Sequence, residues 1–73
     1  MFKDPMPVGK EMGIMIKNKR LALKLTQYQV AKKANISFFK LNLIERGIGK
    51  IAFMTVCDLS GVLDIDPAEL LSC

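Results

Sequence analysis

A chain of 73 residues has room for one small core, so it is expected to form a single domain over residues 1–73. It is 51% hydrophobic with a mean hydropathy of +0.26, yet its longest apolar runs, around Gly13–Ile16 and Ile51–Met54, are far too short to span a membrane. Its charge is uneven: all eleven Lys and Arg fall in residues 1–50 against Asp4, Glu11 and Glu45, a net of +8, while residues 51–73 hold Asp58, Asp64, Asp66 and Glu69 and no base, −4, which together give the +4 of the whole chain.

The basic part is suited to a polyanion, and the acidic part is expected to face away from it. The opening MFKDPMPVGK has no apolar h-region and does not read as a secretory signal, so the expectation is a cytosolic protein. No repeat or linker interrupts the chain.

From about Pro7 to Leu23, Val8, Met12 and Ile16 recur at helical spacing with Lys and Asn between them, which predicts a first helix. Gly9 and Gly13 weaken its start. Thr26 is an N-cap, and Gln29 three residues later completes a capping box. The second helix runs to about Ala34, with Val30, Ala31 and Ala34 inward. Asn35 and Ile36 make a turn, and Ser37 caps a third helix from Phe38 to Arg46. Gly47 is suited to follow its end.

After a loop at Ile48-Gly49-Lys50, a fourth helix is expected over Phe53 to Leu63, burying Phe53, Val56, Leu59 and Leu63, with Ala52 a poor cap. Asp66-Pro67-Ala68-Glu69 opens a short fifth helix with an acidic cap and proline at its first position. Leu70 and Leu71 are expected to close the core. No strand pattern competes. Cys57 reads as a small core or interface residue and Cys73 as exposed; a disulfide between them is the weaker reading in a reducing cytosol.

Residues 26–47, TQYQVAKKANISFFKLNLIERG, are thus two short capped helices around a tight turn. Small Ala31 and Ala34 permit close approach, and Ile36, Leu41 and Ile44 pin one helix across the other. This is helix-turn-helix spacing.

At these residues the chain resembles the Cro/C1-type (Xre) helix-turn-helix family of phage repressors and restriction-modification controllers. Met12-Gly13-x-x-Ile16-x-x-x-Arg20 is similar to the family's first helix, and Leu25-Thr26-Gln27-x-x-Val30-Ala31 to its second. Ile36-Ser37-x-x-x-Leu41-x-x-Ile44-Glu45-x-Gly47 is similar to the third. Val56-x-x-Leu59-Ser60-x-x-Leu63-x-Ile65-x-Pro67-x-x-Leu70 is similar to the end. The resemblance spans residues 12–71 and implies an all-α, compact five-helix λ-repressor-like DNA-binding fold.

It also implies roles. Gln27 would point at a phosphate and brace the recognition helix, and the helix start at Thr26, Gln27 and Tyr28 would meet the DNA backbone. Arg20 and Glu45 match a structural salt bridge. On the outward face of the third helix, Phe38, Phe39, Asn42 and Leu43 occupy base-reading positions. There Asn42 suits adenine, Arg46 suits phosphate or guanine, and the apolar groups suit thymine methyls. Phe38 has the alternative of folding back over the core.

Lys40, Arg46 and Lys50 are the candidate phosphate contacts; for each lysine the alternative is plain solvation. Ile14 and Met15 stand where the family is usually polar. With Ile48, Ile51 and Met54 they make the expected surface unusually apolar. The partners implied are double-stranded DNA and a second copy, with residues 51–73 as the dimerisation part. A protein partner bound through Phe38, Phe39 and Leu43 is the alternative. No membrane, cofactor, metal or catalytic residue is expected.

Overall fold

The structure, a computed structural model, describes residues 5–72. Among them are five helices, α1 (Lys10–Ala22), α2 (Gln27–Lys33), α3 (Phe38–Glu45), α4 (Phe53–Leu63) and α5 (Pro67–Leu71). Two short strands, β1 (Met6–Pro7) and β2 (Lys50–Ile51), join them. None of these helices is long and apolar enough to cross a membrane.

The caps account for the helix starts. The Thr26 hydroxyl accepts from the Gln29 N–H at 3.1 Å, while the Thr26 N–H donates to Gln29 Oε1 at 2.8 Å. The Ser37 hydroxyl accepts from the Lys40 N–H, and Asp66 Oδ1 from the Ala68 N–H. These groups satisfy backbone donors that the first helical turn leaves orphaned. α1 and α4 start at Gly9 and Ala52 without a side-chain cap.

The first four helices end alike. Lys24, Asn35, Gly47 and Asp64 take left-handed φ values of 57–73°. The next residue in each case, Leu25, Ile36, Ile48 or Ile65, donates its N–H back five residues, at 3.0–3.1 Å. Leu25, Ile36 and Ile65 then pack on the core, as this type of helix end favours.

One core unites the elements: Val8, Met12 and Ile16, then Val30, Ala31 and Ala34, Leu41 and Ile44, Ile51, Val56, Leu59 and Leu63, and Leu70. α3 packs across both α1 and α2, while α4 rests on α1, α2 and α5. At the α1–α3 crossing sits Gly13. A Cβ there would stand 2.5 Å from the Ile44 carbonyl oxygen and 2.8 Å from that of Glu45. Gly13 thus sets how closely the two helices approach.

Several expectations need correction. The chain does form a ribbon: Met6 pairs with Ile51 and Pro7 with Lys50, antiparallel, and the Val8 N–H donates to the Gly49 carbonyl at 2.9 Å. Two-residue strands carry no alternation to read, though Met6 lies between prolines and a residue before proline favours extended backbone. The first helix therefore starts at Lys10 rather than near Pro7, and Val8 reaches the core from the ribbon. Ile51, expected at the surface, is 1% exposed for the same reason. Leu71 is exposed, since α5 offers one inward position and Leu70 takes it. Phe53 is half-buried at the start of α4, and so is Cys57. Cys73 lies outside the described residues.

Candidate nucleic-acid interface

α2 and α3, connected by residues 34–37, form the expected helix-turn-helix, and α1 locks it from behind. The lock is an ion pair. The Arg20 Nε–H donates to Glu45 Oε2 at 2.7 Å and Nη2 to Oε1 at 3.1 Å, while Nη1 donates to the Leu25 carbonyl at 2.9 Å. Side-chain exposures are 10% for Arg20 and 2% for Glu45. A two-pronged guanidinium–carboxylate contact fixes angle as well as distance, so it sets the position of α3 against α1.

From this pair a chain of hydrogen bonds reaches outward. Gln27 Nε2 donates to Glu45 Oε1 at 3.0 Å, and Asn42 Nδ2 donates to Gln27 Oε1 at 3.4 Å. The Gln27 amide is therefore spent on joining α2 to α3 through Glu45 and Asn42. Residue spacing carried no sign of these contacts, since the partners lie 18 and 15 residues apart. No described buried side-chain polar atom lacks a partner.

The outward surface divides into two kinds of side chain. Phe38 and Phe39 open α3 and are 52% and 69% exposed; Tyr28 on α2 is 62% exposed. Phe38 does not fold over the core. Asn42 and Leu43 are half-buried, the former against Gln27. Arg46 and Lys50 are exposed, as is Thr26, whose hydroxyl is occupied by its own cap. Lys40 is half-buried and its Nζ donates to the Lys50 carbonyl oxygen, which ties α3 to the ribbon. Among the described residues no three His, Cys, Asp or Glu side chains converge as metal ligands would.

A helix-turn-helix family model, HTH_3, matches residues 16–70. Among solved structures, the restriction-modification controller protein C.AhdI from Aeromonas hydrophila is 26% identical. The match covers 84% of this chain and 92% of that one, with a TM-score of 0.79. The clp gene regulator ClgR from C. glutamicum shares the fold at 19% identity, over 86% of this chain and 82% of that one, with a TM-score of 0.77. No curated protein sequence matches significantly. The family model covers most of the chain, from the middle of α1 to the core leucine of α5, and the chain belongs to the Cro/C1-type helix-turn-helix family.

Proposed function

We propose that the protein is a transcriptional regulator that binds double-stranded operator DNA as a homodimer in the cytosol, with α3 in the major groove. The observation that carries this reading is the buried Arg20–Glu45 pair and its link through Gln27 to Asn42, which hold α3 in a fixed pose on α2. Asn42 gives one N–H to Gln27 and keeps another N–H and its Oδ1, the two groups that adenine recognition uses. Phe38, Phe39 and Leu43 offer apolar contact to thymine methyls. Thr26, Gln27, Tyr28, Lys40, Arg46 and Lys50 flank that face as phosphate contacts. Gln27 and Tyr28 act through their backbone N–H groups, since the Gln27 amide is engaged with Glu45 and Asn42. Thr26 acts through its hydroxyl hydrogen, since the oxygen accepts in the cap, and Lys40 after leaving the Lys50 carbonyl. The acidic residues 51–73 supply the dimerisation part and stay off the DNA. The C.AhdI likeness supports a regulatory role.

A gel shift against duplexes from the neighbourhood of its own gene tests the proposal. A dimer that neutralises about 6–10 phosphates loses roughly 10³–10⁵ in affinity between 50 and 200 mM salt. A folded protein that shifts no duplex at low salt contradicts the reading.

The exposure of Phe38 and Phe39 favours one second reading, a helix-turn-helix that docks a protein as an antirepressor does. The double variant Phe39→Ala, Leu43→Ala separates the two. Under the DNA reading it weakens operator binding by about tenfold or more. Intact DNA binding with loss of a co-purifying protein supports the second.

A further inference from the structure

α3 is apolar on both of its sides. Leu41 and Ile44 fill the core, while Phe38 and Phe39 stand 52% and 69% exposed on its first turn, with Leu43 half-buried one turn on. Its three polar side chains are all engaged within the protein. Lys40 Nζ donates to the Lys50 carbonyl oxygen, Asn42 Nδ2 donates to Gln27 Oε1, and Glu45 accepts from Arg20 and Gln27. The Ser37 hydroxyl oxygen is held by its cap. The first turn of α3 therefore presents two phenyl rings, and its one polar side chain, Lys40, is committed to the ribbon.

In a helix-turn-helix the N-terminal residues of the second helix reach the base edges. The major groove offers them one apolar substituent, the C5-methyl of thymine; the other groups that tell the bases apart there are hydrogen-bond donors and acceptors. A phenyl ring gains by burying that methyl. It cannot pair with the neighbouring C4 substituent, which is an acceptor oxygen on thymine and a donor amine on cytosine. 5-Methylcytosine carries the same methyl on the same ring carbon as thymine. Exposed Arg46 and Lys50 border the two rings. Rings fringed by cations match a groove whose floor carries methyls and whose walls carry phosphates.

We propose that Phe38 and Phe39 read pyrimidine C5-methyl groups, so that the protein accepts 5-methylcytosine where it accepts thymine and discriminates against unmodified cytosine and uracil. Methylation of a cytosine beneath α3 thereby turns a poor site into a good one, and occupancy of the DNA reports that modification. Asn42, held by Gln27, supplies the hydrogen-bonding readout of an adenine and takes no part in the methyl readout. The inference rests on the operator reading and names the chemical group that the apolar part of α3 recognises.

Selection of the full chain's site from a random duplex pool, followed by gel shifts on the selected duplex, tests it; circular dichroism confirms that each variant is folded. Uracil in place of thymine removes only the methyl and leaves the protein untouched. Each buried methyl is worth about fourfold in affinity, so loss of the two beneath Phe38 and Phe39 weakens one recognition site roughly fifteenfold. A C·G pair at either position costs affinity, and methylating that cytosine at C5 recovers about fourfold of it. The double variant Phe38→Ala, Phe39→Ala binds the thymine and uracil duplexes alike, whereas Asn42→Ala keeps the methyl preference and loses the adenine preference. Uracil without effect, 5-methylcytosine no better than cytosine, or a methyl preference that survives the double variant would each overturn the inference. Duplex binding indifferent to these methyls refutes only the C5-methyl readout. A folded protein that selects no duplex, or that binds only single strands on which the rings stack, refutes the operator reading with it.

Discussion

Gly13→Ala destabilises this protein by about 2–3 kcal/mol, although the same change in an open helix stabilises by about 1 kcal/mol. The new Cβ would lie 2.5 Å from the Ile44 carbonyl oxygen and 2.8 Å from that of Glu45. Both are main-chain atoms at the end of α3, so no rotamer change relieves them. α1 and α3 must separate, and the Arg20–Glu45 contact that bridges them stretches as they do. For 73 residues the total stability is on the order of 4–10 kcal/mol, so this loss is a large share. The melting temperature should fall by roughly 10–20 °C. A thermal melt checks it, and an unchanged or higher midpoint refutes the close crossing.

Glu45→Ala has the larger effect, about 3–5 kcal/mol, because it strands the Arg20 guanidinium in a site that is almost closed to water. It also removes the acceptor of Gln27 Nε2. Many preparations of this variant will be unfolded at 37 °C. The paired replacement Arg20→Met, Glu45→Leu deletes both charges together and should recover most of the loss, since an apolar pair has no desolvation cost to repay. Denaturant titration of the two single variants and the double gives the coupling between the sites. Equal losses in the Glu45 single and the double would show that the charge pair is not the lock. The recovered double still lacks the acceptor that orients Gln27 and, through it, Asn42. The DNA reading therefore predicts a stable protein with weakened operator affinity.

Gly13 and Glu45 lie in the part of the molecule that the sequence described best. Thr26 with Gln29, Ser37, and Asp66 with Pro67 are local signals, complete within four residues, and all three caps form. The inward positions of α2, α3 and α4 follow from helical period alone. Only Phe53 departs, at a helix start where the chain has not yet turned fully onto the core. What escaped was non-local. The ribbon joins residues more than forty positions apart through strands too short for any pattern. It draws Ile51 into the core and leaves the Lys50 carbonyl facing Lys40. The engagement of Gln27 with Glu45 and Asn42 depends on how α2 crosses α3, which composition does not specify. The Arg20–Glu45 pairing was legible only through family resemblance.

Phe38 and Phe39 stand just beyond the Ser37 cap with at least half of their surface in solvent, while Arg20 and Glu45, the latter at the other end of α3, are almost sealed from it. Surface substitutions commonly change stability by less than about 0.5 kcal/mol, whereas losing a buried partner changes it several-fold more. Random mutagenesis should therefore divide defective variants into two populations. Changes at Gly13, Arg20 or Glu45 lower the amount of protein in the cell, because unfolded chains are degraded. Under the proposed DNA reading, changes at Phe38 or Phe39 leave the amount intact and alter what is bound. On that reading, recognition can drift, or be redesigned, without renegotiating the fold.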